Sequence, residues 1–466
     1  MSSRNSPTSS RADAVRNEER ILEAAGHLLR RSQATTLAEI AAAAGVSRST
    51  LYRRFSSRQA LIAALDTRPP LEAPRHADGL LPPGRLGRER PVALEAIQVF
   101  DAVAPPVLPE QLVAEAQRLA GVPVALYVVD IDGSHLLRVA GVQRLPEHLE
   151  TPLAVGPELD ADCLAELRAQ LRDFPGTEVI PLWLRGRATG VMIAFGLPRR
   201  DLTGLARQAS AALTLADRYT DTVARNQRRK QPTAAAEIQQ SLLPPRIVRI
   251  SGGEVAGNIL PSYEVGGDWF DVIENADGVW ITLADGLGGS GIRAAASSAV
   301  ALGALRASRR SDAGISEALI VMHQTLKEMP GPRPEMTALV AHWDPARHQL
   351  SLANCGHVPP IVIRSDRQAE QVQVPEAHGL GGRAIPRPVE HSVPLGPGDR
   401  LLMVSDGVIK KGEGNAGLAP EGVIEAALRS EHATAADTVR KVHTAVLAAS
   451  GTDLDDDATA VCLSVS

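Results

Sequence analysis

VGGDWFD (265–271), LADGLGGSG (283–291), VSDGVI (404–409) and DLDDDATAVCLSV (453–465) decide how the second half of this 466-residue chain is read. Three of the four share one build: an apolar, strand-like stretch runs into or out of an Asp that sits beside Gly or another acid. Carboxylates at strand ends, gathered by a sheet, make a hard-oxygen site suited to Mg²⁺ or Mn²⁺. A Gly beside the Asp has no Cβ to block the approach of its backbone carbonyl. Gathered acids repel one another unless cations compensate them. A single Asp-Gly pair is ordinarily a turn, and Asp132-Gly133 and Asp277-Gly278 are read that way. Four such strings in one half of a chain are a different signal.

No Ser–His–Asp or Cys–His pattern accompanies these acids, and there is no P-loop. Two metal ions and a bridging water would give a hydrolase that needs no protein nucleophile. Around the strings lie short strands, Gly-rich turns and Ala-rich helices. They are preceded by AAAEIQQSLLPPR (234–246), a helix stopped by Pro244-Pro245.

The strings and their order resemble the PPM-type, metal-dependent protein serine/threonine phosphatases, most closely the SpoIIE-like bacterial branch. The resemblance takes in EIQQSLLPP (237–245), G-G-D-x-F-D, A-D-G-L-G, TALVA (337–341), LSLANCGHVPPIV (350–362), LGPGDRLLMVSDGV (395–408) and DDATAV (456–461). It implies an α+β domain over 235–466, two antiparallel sheets sandwiched by helices, with two Mn²⁺ or Mg²⁺ ions. By the same resemblance Asp268, Asp285, Asp406 and Asp456 are the metal-ligating and catalytic acids, acting through water on the metals. Asp285 bridges the ions and the Gly286 carbonyl adds a ligand. Asp271 and Asp457 stand behind the ligands, Asp457 supporting its turn, and Asp453 and Asp455 read as solvated charges. Asn354 and His357 fall in a turn string, where packing and turn formation are the favoured role. Two departures from the family pattern, the longer D-G-L-G-G-S-G loop and IKKG after SDGV, remove no ligand. An active enzyme is expected. Its substrate in this branch is a phosphorylated protein, often an anti-sigma-factor antagonist.

Working outward, RPPLEAPRHADGLLPPGRLGRERPV (68–92) lacks apolar periodicity and reads as a linker. Residues 93–220 mix helix and strand: a helix at 110–119, a hairpin over 125–142 and another over 179–196. A long helical pattern follows, with Leu202, Leu205, Ala209, Leu213 and Ala216 on one face. AEAQRLAGVPVALYVVD, PLWLRGRATGVMIAFG and LARQASAALTLADRY resemble a GAF domain, implying a sensor for a small molecule, often a homodimer. A connecting helix over 204–243 is expected to pass its state to the phosphatase.

The first 68 residues hold eleven Arg and six acids, a balance of +5 in a chain whose net charge is −5. Basic head and acidic body suit different partners. Residues 14–67 read as short helices: Thr36 and Glu39 form a capping box, Gly45 ends that helix, and Val46 and Leu51 staple the next. The third helix carries Arg48, Ser49, Thr50, Tyr52 and Arg53, a face suited to phosphates and base edges in a major groove. TLAEIAAAAGVSRSTLYRRFSSRQALIAAL resembles the helix-turn-helix head of TetR-type regulators, which implies DNA binding. A second reading of the whole follows: a DNA-binding transcription regulator in which the phosphatase domain is a sensory or inactive metal-binding module.

Aromatics are 3% of residues against 44% hydrophobic, so the cores must be built from Ala, Val, Leu and Ile. Cys163, Cys355 and Cys462 are far apart and form no metal-spacing motif, which fits a reduced, intracellular protein. The polar start has no signal core and no run is long enough to cross a bilayer. The expectation is a soluble, cytoplasmic, multidomain protein with no membrane partner.

Overall fold

The computed structural model describes residues 103–131, 133, 135–142, 145–150, 161–174, 176–185, 187–260, 267–287, 291–409, 417–430, 434–450, 454 and 456–466. In the head it describes 21, 25, 37–44, 46, 51, 55 and 61. The chain forms two units, Met1–Arg85 and Leu86–Ser466.

In the first unit helix α1 (Leu37–Ala43) lies where the capping box places it. The Ala44 and Val46 N–H groups donate to Ile40 and Ala41 carbonyls at 2.9 and 3.0 Å, turning the chain out of the helix. Ile21, Ala25, Ile40, Ala41, Ala44, Leu51, Phe55 and Leu61 make a small core, with Val46 against it as the staple requires. Arg48, Ser49, Thr50, Tyr52 and Arg53 lie outside the described residues.

The second unit begins with a 3-10 turn and α2 (Leu108–Ala120), which buries Leu108, Leu112, Ala116 and Leu119 at helical spacing and stops at left-handed Gly121. Then come β1 (Val124–Val129), β2 (His135–Ala140), β3 (His148–Glu150), α3 (Ala161–Gln170), β4 (Thr177–Leu184) and β5 (Arg187–Phe195). The strands form one antiparallel sheet ordered β3-β2-β1-β5-β4. The expected hairpins are β1–β2 and β4–β5, the latter with Leu184 opposite Arg187. The strand VALYVV of β1 is buried almost throughout because both faces are covered. Val124, Leu126 and Val128 meet α2 and the next helix, α4 (Thr203–Ala216), while Ala125 and Tyr127 join Leu167 and Leu171 on the α3 side.

The connecting helix expected over 204–243 is not continuous. It is three helices: α4, α5 (Thr222–Asn226) and α6 (Ala234–Leu242). Beyond Ala216 no apolar stripe continues, and Leu215 and Tyr219 are exposed. Thr220 Oγ1 accepts the Thr222 N–H at 3.3 Å, a local bond that competes with helix. Pro232 then bars a helical Gln231, and Thr233 caps α6 by accepting the Ala236 N–H at 3.1 Å.

The remainder is a four-layer sandwich. Its strands are β6 (Ile247–Ile250), β7 (Gly253–Leu260), β8 (Trp269–Asn275), β9 (Gly278–Leu287), β10 (Glu335–Asp344), β11 (Gln349–Cys355), β12 (Ile361–Ile363), β13 (Ala369–Gln371), β14 (Glu376–Ala377), β15 (His391–Pro394), β16 (Arg400–Val404) and β17 (Ala458–Val465). One sheet runs β14-β11-β10-β9-β8 with β15 on β11, the other β13-β12-β16-β17-β7-β6. Pairing is antiparallel except β11 with β14, a departure from the all-antiparallel expectation at one edge. Alternation assigns the layers. On β17, Val461, Leu463 and Val465 enter the inter-sheet core with Phe270, Ile281, Leu339 and Trp343. Ala458, Ala460 and Cys462 face α9 (Pro420–Leu428) and α10 (Ala435–Ser450). Trp269, Trp280, Ala338 and Val340 on the other sheet face α7 (Ile292–Arg310) and α8 (Ile315–Lys327). No helix among the described residues is long and apolar enough to cross a membrane.

Candidate metal centre

Strand parity brings the acids to one end of the inter-sheet core. Val279, Ile281 and Leu283 of β9 point into that core, so Asp285 follows on the same face. Phe270 does the same for Asp268, immediately before β8, and Val461 for Thr459 and Asp457. Leu401 and Met403 lead to Ser405, after which the chain turns at Asp406-Gly407. A Cβ on Gly407 would lie 2.2 Å from the Asp457 carbonyl oxygen, so this close crossing of two strand ends requires glycine. Gly267, at φ 127°, faces Gly286, and a Cβ there would come within 3.3 Å of the Gly286 Cα.

Hydrogen bonds then fix the frame. Asp457 is buried, and its Oδ2 accepts from the Gly267 N–H at 3.1 Å, the Asp268 N–H at 3.3 Å and Gln239 Nε2 at 3.0 Å. The expected role of Asp457, supporting the turn, fits these bonds. Gln239 Nε2 also donates to the Asp268 carbonyl at 2.8 Å, so α6 grips the site directly. Thr459 Oγ1 donates to Asp268 Oδ2. Ser405 Oγ donates to the Asp457 carbonyl at 3.1 Å and accepts the Thr459 N–H at 2.9 Å, tying β16 to β17. Asp456 Oδ1 accepts the Asp457 N–H at 2.9 Å.

Asp285 interacts electrostatically with Asp268, Asp406 and Asp456, the three other acids expected to share its site. Burial, then the Asp406 charge, push its carboxyl up to about 7. Burial, then Asp285 and Asp457, push Asp268 well above the carboxylate range. Buried carboxylates that raise one another in this way are stabilised by a divalent cation, and an all-oxygen donor set fits Mg²⁺ or Mn²⁺. By distance alone, no group of three or more His, Cys, Asp or Glu among the described residues is arranged to hold an ion. The chemistry of the donor set is the better guide to what the site accepts.

Asp271 does not stand behind these ligands. One residue out of step with Phe270, it faces the helices, where Arg306 and Arg309 of α7 bind it at 2.9 and 3.0 Å. Asn354 and His357 close the expected turn: Asn354 Nδ2 donates to the His357 carbonyl at 2.8 Å, and Asn354 Oδ1 accepts the His357 N–H at 2.7 Å. His357 Nδ1 bonds Thr337 Oγ1 at 2.7 Å, and Thr337 is the β10 partner of Asp285. Burial holds the His357 imidazole down to about 4, so it is neutral. The roles of Gln239, Thr337 and Ser405 carried no mark in the sequence. Thr459 did carry one, being the Thr of D-D-A-T.

Residues 275–466 match the family model of stage II sporulation protein E, and residues 21–65 that of the bacterial regulatory proteins of the tetR family. Among solved structures, the chain is similar to the RsbU and RsbW domains of Rv1364c from Mycobacterium tuberculosis. That likeness has 24% identity and a TM-score of 0.40, covering 46% of this chain and 62% of that one, less than two thirds of its length. A second likeness is to the SiaA-PP2C domain of Pseudomonas aeruginosa, at 20% identity and TM-score 0.42, covering 50% and 94%. A third is to the SpoIIE phosphatase domain of Bacillus subtilis, at 19% identity and TM-score 0.35, covering 47% and 94%. The assignment rests on the two family-model matches together with the strings that carry the acids: the chain joins a TetR-type head to a phosphatase domain of the stage II sporulation protein E family.

Proposed function

We propose that residues 235–466 remove phosphate from phosphoserine or phosphothreonine of a protein. The observation that carries this reading is the buried Asp285 carboxylate in electrostatic reach of Asp268, Asp406 and Asp456. These four side chains and the Gly286 carbonyl are the groups that would hold two Mn²⁺ or Mg²⁺ ions. When bound, the ions supply a nucleophilic water at neutral pH and neutralise charge on the phosphoryl group. The protein's own part is positioning. Thr459 and Gln239 hold the side chain and backbone of Asp268, Asp457 pins the Gly267–Asp268 peptides, and the neutral His357 steadies Thr337 beside Asp285.

Residues 93–220 act in this reading as a GAF-like sensor, coupled to the site through α4, α5 and α6, with Gln239 as the contact on the catalytic side. The favoured substrate is an anti-sigma-factor antagonist carrying phosphoserine, by analogy with the family the strings resemble. The test is phosphate release from phosphoserine and phosphotyrosine forms of one protein substrate in Mn²⁺. Turnover of the phosphoserine form supports the reading, and turnover of the phosphotyrosine form alone refutes it.

The tetR-family match favours a second activity in the same chain, DNA binding through Arg48, Ser49, Thr50, Tyr52 and Arg53. Sequence-specific DNA binding that survives Asp406→Ala and is lost in Arg53→Ala supports an independent regulator. Phosphate release that survives deletion of residues 1–92 places the enzyme at the centre.

A further inference from the structure

A cleft of about 610 Å³ lies where the 93–220 domain meets the phosphatase domain, well inside the size range of small-molecule sites. One wall is Asp130, Arg187 and Thr189 from the sensor sheet, with Leu213, Asp217 and Arg218 at the end of α4. The opposite wall is Pro244, Pro245 and Arg246 after α6, with Asn258 of β7 and Arg440 of α10. Four arginines and two aspartates are the only formal charges on this lining. Asp130 is already taken up, its Oδ2 bound by Arg229 at 2.8 Å. Asp437 holds Arg440. Arg187 is different: among the described residues no hydrogen bond or ion pair engages its guanidinium, although it is largely withdrawn from water. Burial alone lowers its pKa, the signature of a cation short of a counter-charge.

We propose that this cleft binds a small phosphorylated metabolite of nucleotide size, with its phosphate on Arg187 and Arg246. A guanidinium fork matches phosphate oxygens in a planar, bidentate geometry. The apolar lining from Leu213, Val223, Leu243 and Val439 suits a flat or aliphatic body beyond the phosphate. Thr189 is not available to the ligand, because its hydroxyl already engages the Leu182 carbonyl and Ser210. This anion site lies apart from the cation-holding carboxylate centre, and it bridges two domains of one unit. Its wall continues into the Pro244-Pro245 stop of α6, the helix whose Gln239 grips Asp268 and Asp457. Occupancy therefore bears on the metal centre, a consequence that rests on the phosphatase reading, whereas binding itself does not.

The experiment is calorimetric titration of the full chain, held in EDTA, with 5′-AMP, 5′-GMP and ribose 5-phosphate, and with adenosine as the neutral comparator. Expected is binding of at least one phosphate ester at a Kd on the order of 1–100 µM, with adenosine weaker by about tenfold or more. Arg187→Gln and Thr214→Glu, the latter placing a carboxylate in the cleft, each weaken it by about tenfold or more. Asp285→Ala leaves it unchanged. If Arg187→Gln fails to fold by circular dichroism, Thr214→Glu, on the partly exposed side of α4, decides alone. Absence of binding by all three esters up to about 5 mM overturns the proposal. So does binding lost in Asp285→Ala but kept in the cleft variants, since the phosphate would then sit at the carboxylate centre. Neither result depends on turnover, so a failure here is separate from a failure of the phosphatase reading.

Discussion

Asp457 shows how one side chain does the work of a frame. It accepts three hydrogen bonds from residues that the sequence places far away, with Gln239 218 positions earlier. Loss of a partner that orients metal-holding groups lowers metal affinity by roughly 10–100-fold. Gln239→Ala is therefore expected to weaken Mn²⁺ binding by about that factor while leaving the fold intact, as read by calorimetry beside circular dichroism. The four acids were singled out in the sequence because Asp-containing strings beside apolar, strand-like stretches recur four times in one half of the chain. Gln239 was not, because nothing local distinguishes it from Gln240, and only the folded contact does. Asp271 misled for a related reason. Its place in G-G-D-x-F-D suggested the metal site, but three residues along a strand from Asp268 it points to the opposite face and meets two arginines.

His443 belongs to the residue scale as well. It is buried beside Asn258, and burial, then Arg246, hold its imidazole down to about 3. The folded pKa lies below the unfolded value near 6.5, so the unfolded chain binds the extra proton. Stability is full above about pH 6.5 and falls as pH drops towards 3, by at most about 1.4 kcal/mol per pH unit for this group. Urea unfolding at pH 7 and pH 5 is expected to show the decline, and His443→Gln to flatten it.

At the scale of elements, α7 is fastened to its sheet by the Asp271 pair. Arg309 is nearly buried, so Asp271→Ala leaves a cation without its partner, and the expected cost is about 3–5 kcal/mol in chemical denaturation. Replacing Asp271 and Arg309 together by apolar residues should cost less than Asp271→Ala alone. Strand elements were readable because their alternation is a local property, and β17 shows it in the split of Val461 and Leu463 from Ala460 and Cys462. The break between α4 and α6 was harder. Pro232 was visible, but the apolar face of Leu202, Leu205, Ala209, Leu213 and Ala216 was expected to run on into one long helix, and it ends at Ala216. Two interruptions divide the connection into three separate helices.

For the whole molecule, Met1–Arg85 form one unit, whereas residues 93–220 and the phosphatase domain share the other unit and a cleft. Deleting residues 1–92 is expected to leave phosphate release within about twofold of the full chain. A 235–466 fragment should differ from it in Mn²⁺ affinity or turnover, because the cleft wall and the lead-in to α6 are then missing. Equal activity and equal metal affinity in the fragment and the full chain would rule out coupling between the two domains.

The carboxylate centre itself is tested most directly by phosphate release from a phosphoserine peptide, with and without Mn²⁺, in the wild type and in Asp285→Ala. Expected is release that requires Mn²⁺ and falls by about a hundredfold or more in the variant. Release that proceeds in EDTA, or that Asp285→Ala leaves untouched, would contradict a metal-dependent phosphatase built on these four acids.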